Sequence, residues 1–259
     1  MSSSSTAIGK VLVVIPTYNE AESLPVTLTS LLEVAPDIDV LVVDDASPDG
    51  TGQIADGFAE KFDRVHVLHR TSKDGLGAAY LAGFGWGLTR SFDVICEMDA
   101  DGSHRPVDFP NLIAPLADPD VDLVLGSRWV PGGSVENWPK HREFLSRGGN
   151  TYVRFMLGLG LKDATGGFRA YRSTILKAVD LPQISSHGYC FQVDMARNVV
   201  DAGGEVREIP IVFVERVAGV SKMSGNIVRE ALWKVTLWGL HKRAQQVRNA
   251  LSFRSSSQN

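Results

Sequence analysis

Asp99 and Asp101 form an Asp-x-Asp motif directly after residues 94–98, an apolar run with the composition of a buried strand. Two carboxylates at a strand end can share one hard cation. Mg²⁺ or Mn²⁺ takes one or two carboxylates together with diphosphate oxygens, so the motif predicts a metal site that neutralises a departing diphosphate. Asp and Gly are also common in turns, and the motif alone leaves both interpretations open.

A second acidic pair, Asp44 and Asp45, follows the apolar run 40–43. A carboxylate at the carboxyl end of a parallel strand can accept hydrogen bonds from a nucleobase or a ribose, and we predict that role for Asp45. The segment 47–50 is also typical of a turn and a helix start, and both interpretations can hold together. Tyr18 offers a ring that can stack on a base, and Glu20 offers a further acceptor.

Short β-branched runs alternate with helical patterns, which predicts an α/β fold with a mainly parallel central sheet flanked by helices. The five runs are residues 11–15, 40–43, 65–68, 94–98 and 123–125. The motifs after the first, second and fourth runs should therefore open onto one edge of the sheet. A helix is predicted over 20–32, and further strands are predicted over 167–171 and 206–214. Residues 131–149, rich in Gly, Pro, Trp and basic side chains, are predicted to form an irregular substrate-binding loop.

The composition of the 259 residues, with 44% hydrophobic residues and a formal net charge of −4, is that of a globular protein without a large basic field. Wholesale nucleic-acid binding is therefore not expected. Cys96 and Cys190 have apolar or aromatic neighbours and are predicted to fill the core of a protein in a reducing compartment. The glycine run at Gly75 and Gly77 lacks the third glycine of a dinucleotide fingerprint and is interpreted as close helix packing.

The two ends of the chain differ from its centre. Residues 1–8 are predicted to be a disordered leader, and no apolar stretch approaches the roughly 20 residues that span a bilayer. Residues 223–259 are predicted to form an amphipathic helix and a basic tail. Tryptophans beside basic residues suit an anionic bilayer surface, and packing of the same helix onto the domain is an equal alternative.

Five segments together resemble family 2 glycosyltransferases and, within them, the polyprenol-phosphate (dolichol-phosphate) mannose synthases. The segments are residues 15–20, 43–51, 75–80, 98–101 and 166–171. The resemblance implies a GT-A type nucleotide-sugar-binding fold over residues 9–222. It also implies mannose transfer from GDP-mannose to a polyprenyl monophosphate lipid acceptor, with Mg²⁺ or Mn²⁺, by a chain bound peripherally to the cytoplasmic face of a membrane. A membrane-protein partner is one way to anchor such a chain.

The resemblance assigns roles to individual residues. Those expected around the nucleotide are Pro16, Tyr18, Glu20, Val43, Asp45 and Ala100. Those expected on the metal are Asp99, Asp101 and Ser103, where Ser103 stands in place of the Gln of many members and a water can complete the site. Those expected along the donor are Gln192, Arg216 and Lys222. Those expected to hold the acceptor phosphate are Arg128, Arg142 and Ser146, and Asp101 and Arg128 are the expected catalytic residues.

An acceptor phosphate is already anionic near neutral pH, so it can attack the anomeric carbon without a strong general base. A single displacement would invert that carbon. Three other functions are alternatives for this sequence: the same reaction with a donor such as UDP-glucose, polysaccharide extension, and non-catalytic binding of a nucleotide-sugar. The Gln-x-x-Arg-Trp segment typical of polymer synthases is not present, and the retained carboxylates and basic residues disfavour a non-catalytic protein.

Overall fold

The computed structural model describes residues 8–184, 189–215 and 225–256. Its centre is a seven-stranded sheet in the order β3-β2-β1-β4-β7-β5-β8. All neighbouring strands are parallel except that β7 runs antiparallel to both β4 and β5. The strands are β1 (Val11–Thr17), β2 (Asp39–Asp44), β3 (Val65–His69), β4 (Val94–Glu97), β5 (Leu123–Ser127), β6 (Ser134–Glu136), β7 (Arg169–Arg172), β8 (Val206–Pro210) and β9 (Val212–Val214).

Helices cover both faces of the sheet. They are α1 (Leu24–Val34), α2 (Thr51–Ala59), α3 (Leu76–Leu88), α4 (Phe109–Ile113), α5 (Lys140–Leu157), α6 (Ser173–Ala178), α7 (Tyr189–Asp201) and α8 (Gly225–Ser256), with short 3₁₀ turns at Pro106–Asp108, Ala114–Ala117 and Leu181–Gln183. Along β1, Leu12 and Val14 point into one apolar cluster while Val13 and Ile15 point into the other. This alternation within a fully buried strand is what a sheet covered on both sides requires.

The predicted α/β class and mainly parallel sheet are confirmed. The first five predicted strands match β1 to β5 within two residues at each end. The first helix begins at Leu24 rather than at residue 20, because residues 21–23 form a turn. It ends at Val34, two residues beyond the predicted end at residue 32 and before Pro36. Both cysteines are buried, as predicted for core residues.

The prediction of an irregular loop over residues 131–149 is wrong. The segment contains β6 and the first half of α5. Pro139, which has an extended backbone, is the N-cap residue of α5. Only Asn150, Val153 and Leu157 of α5 are buried, so the helix presents a narrow inward stripe. Gly148 and Gly149, together with Phe144 and Phe155 exposed outside that stripe, conceal the helical period in the sequence.

The single strand predicted over 206–214 is also corrected. The chain divides at Ile211: β8 continues the central sheet beside β5, while β9 pairs in parallel with β6 in a separate two-stranded sheet. Pro210 lacks an N–H group, so the sheet ladder cannot continue through it on that side. This division carries Phe213 and Glu215 away from the central sheet, toward the side of the molecule where α5 lies.

The predicted packing glycines, Gly75 and Gly77, lie at the start of α3, where Gly77 is buried. Gly75 precedes the helix with φ of 93°, a conformation that L side chains rarely adopt. Tight packing also involves Gly83 and Gly87 within the helix. A Cβ on Gly87 would lie 2.8 Å from side-chain carbons of Ile95 and Leu12, and one on Gly83 would overlap Val14. These two glycines let α3 lie close against β1 and β4.

Helix α8 packs against α5 and α7. Val235 of α8 is buried in the main apolar cluster, and Trp238 packs against that cluster from its edge. Trp233 is 65% exposed. The packing alternative therefore holds for Trp238. Trp233 lies at the surface, where the bilayer alternative stays a prediction. Within the described ranges, no helix has both the length and the apolar character needed to cross a membrane.

Candidate active site

The loops that follow β1 and β2 hold each other in place. The backbone N–H groups of Glu20 and Ala21 donate to Thr51 Oγ1 at 2.9 Å and to Asp49 Oδ2 at 3.1 Å. Asn19 and Ala46 adopt φ of 60° and 54°, values that residues other than glycine rarely adopt. Strained backbone of this kind persists where the surroundings impose it and is concentrated at functional sites. Because these hydrogen bonds tie the two loops together, Tyr18, Glu20 and Asp45 lie at one edge of the sheet, as predicted.

Asp45 is buried at the end of β2, where Arg70 Nη1 donates to its Oδ1 at 2.7 Å. Burial raises the pKa of Asp45 above its ordinary value, and the Arg70 guanidinium opposes that rise. The second oxygen of a carboxylate held in this way can accept from a nucleobase or a ribose. Lys73 Nζ lies 3.6 Å from the centroid of the Tyr18 ring, so a base that stacks on this face would displace the ammonium group.

Three other residues expected around the nucleotide lie at the same edge. Pro16 and Val43 are adjacent across the β1–β2 pair, and both are buried. Ala100 is buried, and its carbonyl oxygen accepts from Thr27 Oγ1 at 3.0 Å. These three can shape the pocket through backbone and apolar surface, since their side chains carry no polar group.

Asp99 leaves the sheet at the end of β4 and is held from two sides. The Tyr80 hydroxyl donates to Asp99 Oδ1 at 2.9 Å, and the Asp99 N–H donates to His104 Nδ1 at 3.1 Å. His104 therefore carries its proton on Nε2. Burial lowers the pKa of His104 below its ordinary value, which keeps the ring neutral despite the nearby carboxylates. Neither Tyr80 nor His104 was among the predicted site residues.

Asp101 and Ser103 fit a cation site of oxygen ligands. Both are buried, and the Ser103 N–H donates to Asp101 Oδ1 at 3.0 Å. Ser103 Oγ is buried without a hydrogen-bond partner among the described residues, and such an oxygen is suited to a metal or a bound water. No group of three or more His, Cys, Asp and Glu side chains in the described ranges could hold a metal by itself. A cation here would rely on two carboxylates together with oxygens of the diphosphate, as Mg²⁺ and Mn²⁺ sites do.

A buried polar network lies behind the Asp-x-Asp motif. Gln192 Nε2 donates to Glu97 Oε2 at 2.6 Å, and the Tyr171 hydroxyl donates to Glu97 Oε1 at 3.0 Å. Arg169, fully buried, donates to the carbonyl oxygens of Ala164, Gly166 and Gln192. Burial raises the pKa of Glu97 to about 7. A Cβ on Gly167 would lie 3.5 Å from Gln192 Nε2 and 3.8 Å from Asp99 Oδ2, so Gly167 lies close to both the buried network and the Asp-x-Asp motif.

The residues expected to hold the acceptor phosphate line one cavity of about 370 Å³. It is predominantly apolar, and Arg128, Arg142 and Ser146 supply polar groups. The remaining described lining residues are Trp138, Phe144, Leu145, Gly148, Gly149, Tyr152, Val153, Thr165, Val193, Ala231, Leu232 and Val235. The structure thus brings together Arg128, which follows a strand, with Arg142 and Ser146, which the sequence placed in an irregular loop. Apolar side chains of α5 and α8 form the walls of the cavity.

Both arginines of the cavity already have carboxylate partners. Arg128 Nε and Nη2 donate to the buried Asp163 at 2.7 Å each, and Arg142 donates to both oxygens of Glu215. The Arg128 guanidinium lowers the pKa of Asp163 below its ordinary value although burial acts in the opposite direction. Arg128 is therefore rigidly oriented, while Arg142, with a half-buried partner, can exchange it for a phosphate. Asp163 lies 35 residues from Arg128, and no local pattern indicated the pair.

Phe213 connects the cavity to the carboxylate edge. Its ring centroid lies 5.5 Å from that of His104 and 5.4 Å from the Arg128 guanidinium. His104 in turn contacts the Asp99 backbone. The cavity and the Asp-x-Asp motif are thus neighbours across one aromatic side chain. Arg216 and Lys222, expected along the donor, lie outside the described residues.

The fold and the carboxylate edge define a GT-A glycosyltransferase architecture, and comparisons with known proteins agree. The family model described as glycosyl transferase family 2 matches residues 12–180. The chain belongs to this family. An undecaprenyl-phosphate mannosyltransferase of Micrococcus luteus is 56% identical over 242 residues, 93% of this chain and 99% of the relative. A polyprenol monophosphomannose synthase of Mycolicibacterium smegmatis is 52% identical over 93% of this chain and 91% of the relative.

Solved structures support the fold at lower identity. Glucosyl-3-phosphoglycerate synthase from Mycobacterium tuberculosis, in complex with UDP, superposes with a TM-score of 0.67 at 18% identity over 91% of this chain and 82% of that one. A mannosyltransferase from Pyrobaculum calidifontis, in complex with GDP-Man and Mn²⁺, gives a TM-score of 0.59 at 20% identity over 92% of this chain and 64% of that one.

Proposed function

We propose that this glycosyltransferase moves mannose from GDP-mannose to a polyprenyl monophosphate, giving polyprenyl phosphate β-mannose and GDP. The observation that carries the proposal is the apolar cavity with Arg128, Arg142 and Ser146 beside the Asp-x-Asp edge. A prenyl phosphate needs apolar walls for its chain and cations for its headgroup, and this cavity offers both. The two relatives above 50% identity are named for the same class of acceptor, a polyprenyl phosphate.

Asp99, Asp101 and Ser103 would hold Mg²⁺ or Mn²⁺, which supplies positive charge to the diphosphate leaving group. Tyr80 fixes one oxygen of Asp99, and the Ser103 N–H fixes one oxygen of Asp101. The two carboxylates therefore need little reorganisation when the donor binds. Such preorganised charge lowers the barrier more than groups that must move during the reaction.

Arg142 and Ser146 would orient the acceptor phosphate, with Arg128 beside them. A phosphate oxygen forms a bond to the anomeric carbon while the bond from that carbon to the diphosphate oxygen breaks, and the electron pair leaves with GDP. The phosphate is already ionised, so no side chain needs to remove a proton. The arginines place a nucleophile that the diphosphate would otherwise repel. A single displacement inverts the anomeric carbon.

The nucleotide is assigned to the edge formed by Tyr18, Asp45 and their neighbours. Guanine offers two adjacent N–H donor groups to a carboxylate, which suits Asp45. A UDP-sugar donor is the alternative within the same site, because uracil also presents an N–H group. Arg216 and Lys222 are proposed as donor contacts on the resemblance alone.

The location and the division of the chain are part of the same proposal. A prenyl phosphate acceptor places the enzyme at the cytoplasmic face of a membrane, directly or through a membrane-protein partner. The catalytic unit is proposed to span residues 9–222, preceded by the leader and followed by the helix and basic tail. Val235 joins that helix to the core of the catalytic unit.

The test is transfer of radiolabel from GDP-mannose to a polyprenyl phosphate, with Mg²⁺, with Mn²⁺ and with chelator, followed by extraction into organic solvent. Metal-dependent label in the lipid phase is the expected result. If label reaches the lipid phase from UDP-glucose but not from GDP-mannose, the proposed site is kept and GDP-mannose is rejected as the donor. Binding of GDP-mannose without transfer to any prenyl phosphate would reject the reaction in favour of a binding protein.

A further inference from the structure

Exposed apolar side chains are concentrated on α5 and α8. Eleven large hydrophobic side chains are strongly exposed among the described residues, and seven of them belong to these two helices. The seven are Phe144, Leu145, Phe155, Leu232, Trp233, Leu237 and Leu240. Scattered exposed apolar residues are ordinary, but a contiguous group of this kind marks a surface that contacts another apolar phase.

The exposed side chains of α8 form an outward stripe. Trp233, Leu237 and Leu240 follow one another at intervals of four and three residues, which places them on one helix face. Val235 and Gly239 lie on the opposite face, where Val235 enters the core and a Cβ on Gly239 would meet the Met156 backbone. The stripe is therefore not needed to hold α8 on the protein.

Positive charge accompanies these apolar side chains. Helices α5 and α8 together carry ten arginines and lysines against two glutamates. The whole chain has a formal net charge of −4, so the rest of the protein is strongly acidic and the cations are segregated here. Arg154, Arg229 and Arg243 are exposed, and Arg243 lies over the Phe155 ring at 5.4 Å. Exposed aromatic and aliphatic groups mixed with cations match an anionic bilayer surface.

The same face forms the rim of the acceptor cavity. Phe144, Leu145 and Leu232 line the cavity and are also exposed at its outside. We propose that α5 and α8 form a docking face that lies on an anionic phospholipid bilayer, with the helices in the plane of the headgroups. This inference rests on the proposed function, because the docking face would serve to bring the enzyme to its lipid acceptor. A prenyl chain can then enter the cavity from the bilayer without crossing water.

The experiment measures sedimentation of the full chain with vesicles of phosphatidylglycerol and phosphatidylcholine, and with vesicles of phosphatidylcholine alone. Trp233→Ser, Leu237→Ser and Leu240→Ser are combined in one variant, because none of these residues lines the cavity. The matched control combines Val26→Ser and Val107→Ser, which remove two comparably exposed apolar side chains from α1 and from the turn before α4. We expect wild type and control to bind the anionic vesicles and the triple variant to bind at least about ten-fold more weakly.

A second variant tests the charges without altering the apolar stripe. Arg154→Gln with Arg243→Gln should weaken binding to anionic vesicles by about 25-fold, at about five-fold for each cation, and added salt should also weaken binding of wild type. Circular dichroism and thermal unfolding check that each variant is folded. If wild type does not sediment with anionic vesicles, or if both variants bind like the control, the bilayer is not the occupant. Recruitment of wild type only by membranes that contain a protein partner would equally overturn the proposal.

A transfer assay separates this inference from the proposed function. The triple variant should keep wild-type turnover with a short, water-soluble prenyl phosphate and lose at least about ten-fold of kcat/KM with a long-chain acceptor embedded in anionic vesicles. Equal losses with both acceptors would contradict a docking role. If wild type binds vesicles and transfers mannose to neither acceptor, the proposed reaction fails while the docking face stands.

Discussion

The donor edge and the acceptor cavity are built in different ways. The donor edge lies on strand ends of the central sheet, and hydrogen bonds from Tyr80, Arg70 and neighbouring N–H groups hold its carboxylates. The acceptor cavity lies between helices, and its cations Arg128 and Arg142 are held by Asp163 and Glu215. One region is acidic and suited to a cation with a diphosphate, whereas the other is basic and apolar and suited to a lipid phosphate. In the proposed reaction, each of the two anionic substrates would therefore meet its own counter-charge.

The largest expected effect comes from the donor edge. Asp101→Asn removes a carboxylate charge that no neighbour in the Ser103 turn replaces, and we expect kcat to fall by about 10³-fold or more. Apparent affinity for Mn²⁺ should fall with it. Asp118→Asn removes an exposed carboxylate that pairs with Arg207, and it should leave both quantities unchanged. Normal turnover by the Asp101 variant would place the metal elsewhere.

On the acceptor side, Arg142→Gln should raise KM for a short prenyl phosphate by about 10- to 100-fold, the cost of a lost charge-assisted hydrogen bond. The KM for GDP-mannose should not change. Arg154→Gln, on the same helix but outside the cavity, serves as the matched control. Equal changes in both KM values would show that Arg142 and Glu215 maintain the fold of both regions instead of one substrate site.

The buried network between the regions predicts a pH dependence of stability. The pKa of Glu97 is about 7 in the folded protein, against an ordinary value of 4.5, so the folded state binds more protons between these values. The free energy of unfolding of the metal-free protein should therefore fall as pH rises through this window, by about 3 kcal/mol at most. Urea unfolding at several pH values measures the slope. Glu97→Gln should remove that decrease, and an unchanged slope would assign it to other groups.

The smallest effect is expected at Tyr80, whose hydroxyl positions Asp99 before the metal binds. Tyr80→Phe removes the hydroxyl that fixes Asp99 Oδ1 and should weaken Mn²⁺ binding by about ten-fold. The free metal is measured by electron paramagnetic resonance in the presence of GDP. Tyr152→Phe, which removes a hydroxyl bonded to Thr236, is the matched control and should bind Mn²⁺ like wild type. Identical affinities in the two variants would mean that Asp99 is positioned by its backbone alone.

The two regions also differ in how far the sequence predicts them. Asp45, Asp99 and Asp101 follow apolar runs, so the rule that parallel strand ends share one edge locates them without a structure. The acceptor cavity depends on α5, whose glycines and exposed arginines conceal its helical period. The sequence therefore predicts a loop over residues 140–149, the first part of α5, although the resemblance assigns Arg142 and Ser146 to the acceptor site.

Contacts that are distant in sequence explain the rest. Glu97 meets Gln192 across 95 residues, and Arg128 meets Asp163 across 35. Each residue alone has an ordinary local context, and the partners lie on different parts of the fold: Glu97 on β4 and Gln192 on α7. Periodicity and turn chemistry describe residues that are neighbours along the chain. They therefore do not predict buried polar pairs between residues that are distant in sequence.

Calorimetric titration with GDP in the presence of Mn²⁺ tests whether donor and acceptor bind in separate regions. The titration is performed on wild type, Asp101→Asn and Arg142→Gln. We expect wild-type affinity in the Arg142 variant and at least about ten-fold weaker binding in the Asp101 variant. Loss of GDP affinity in the Arg142 variant, or full affinity in the Asp101 variant, would contradict the division of the site.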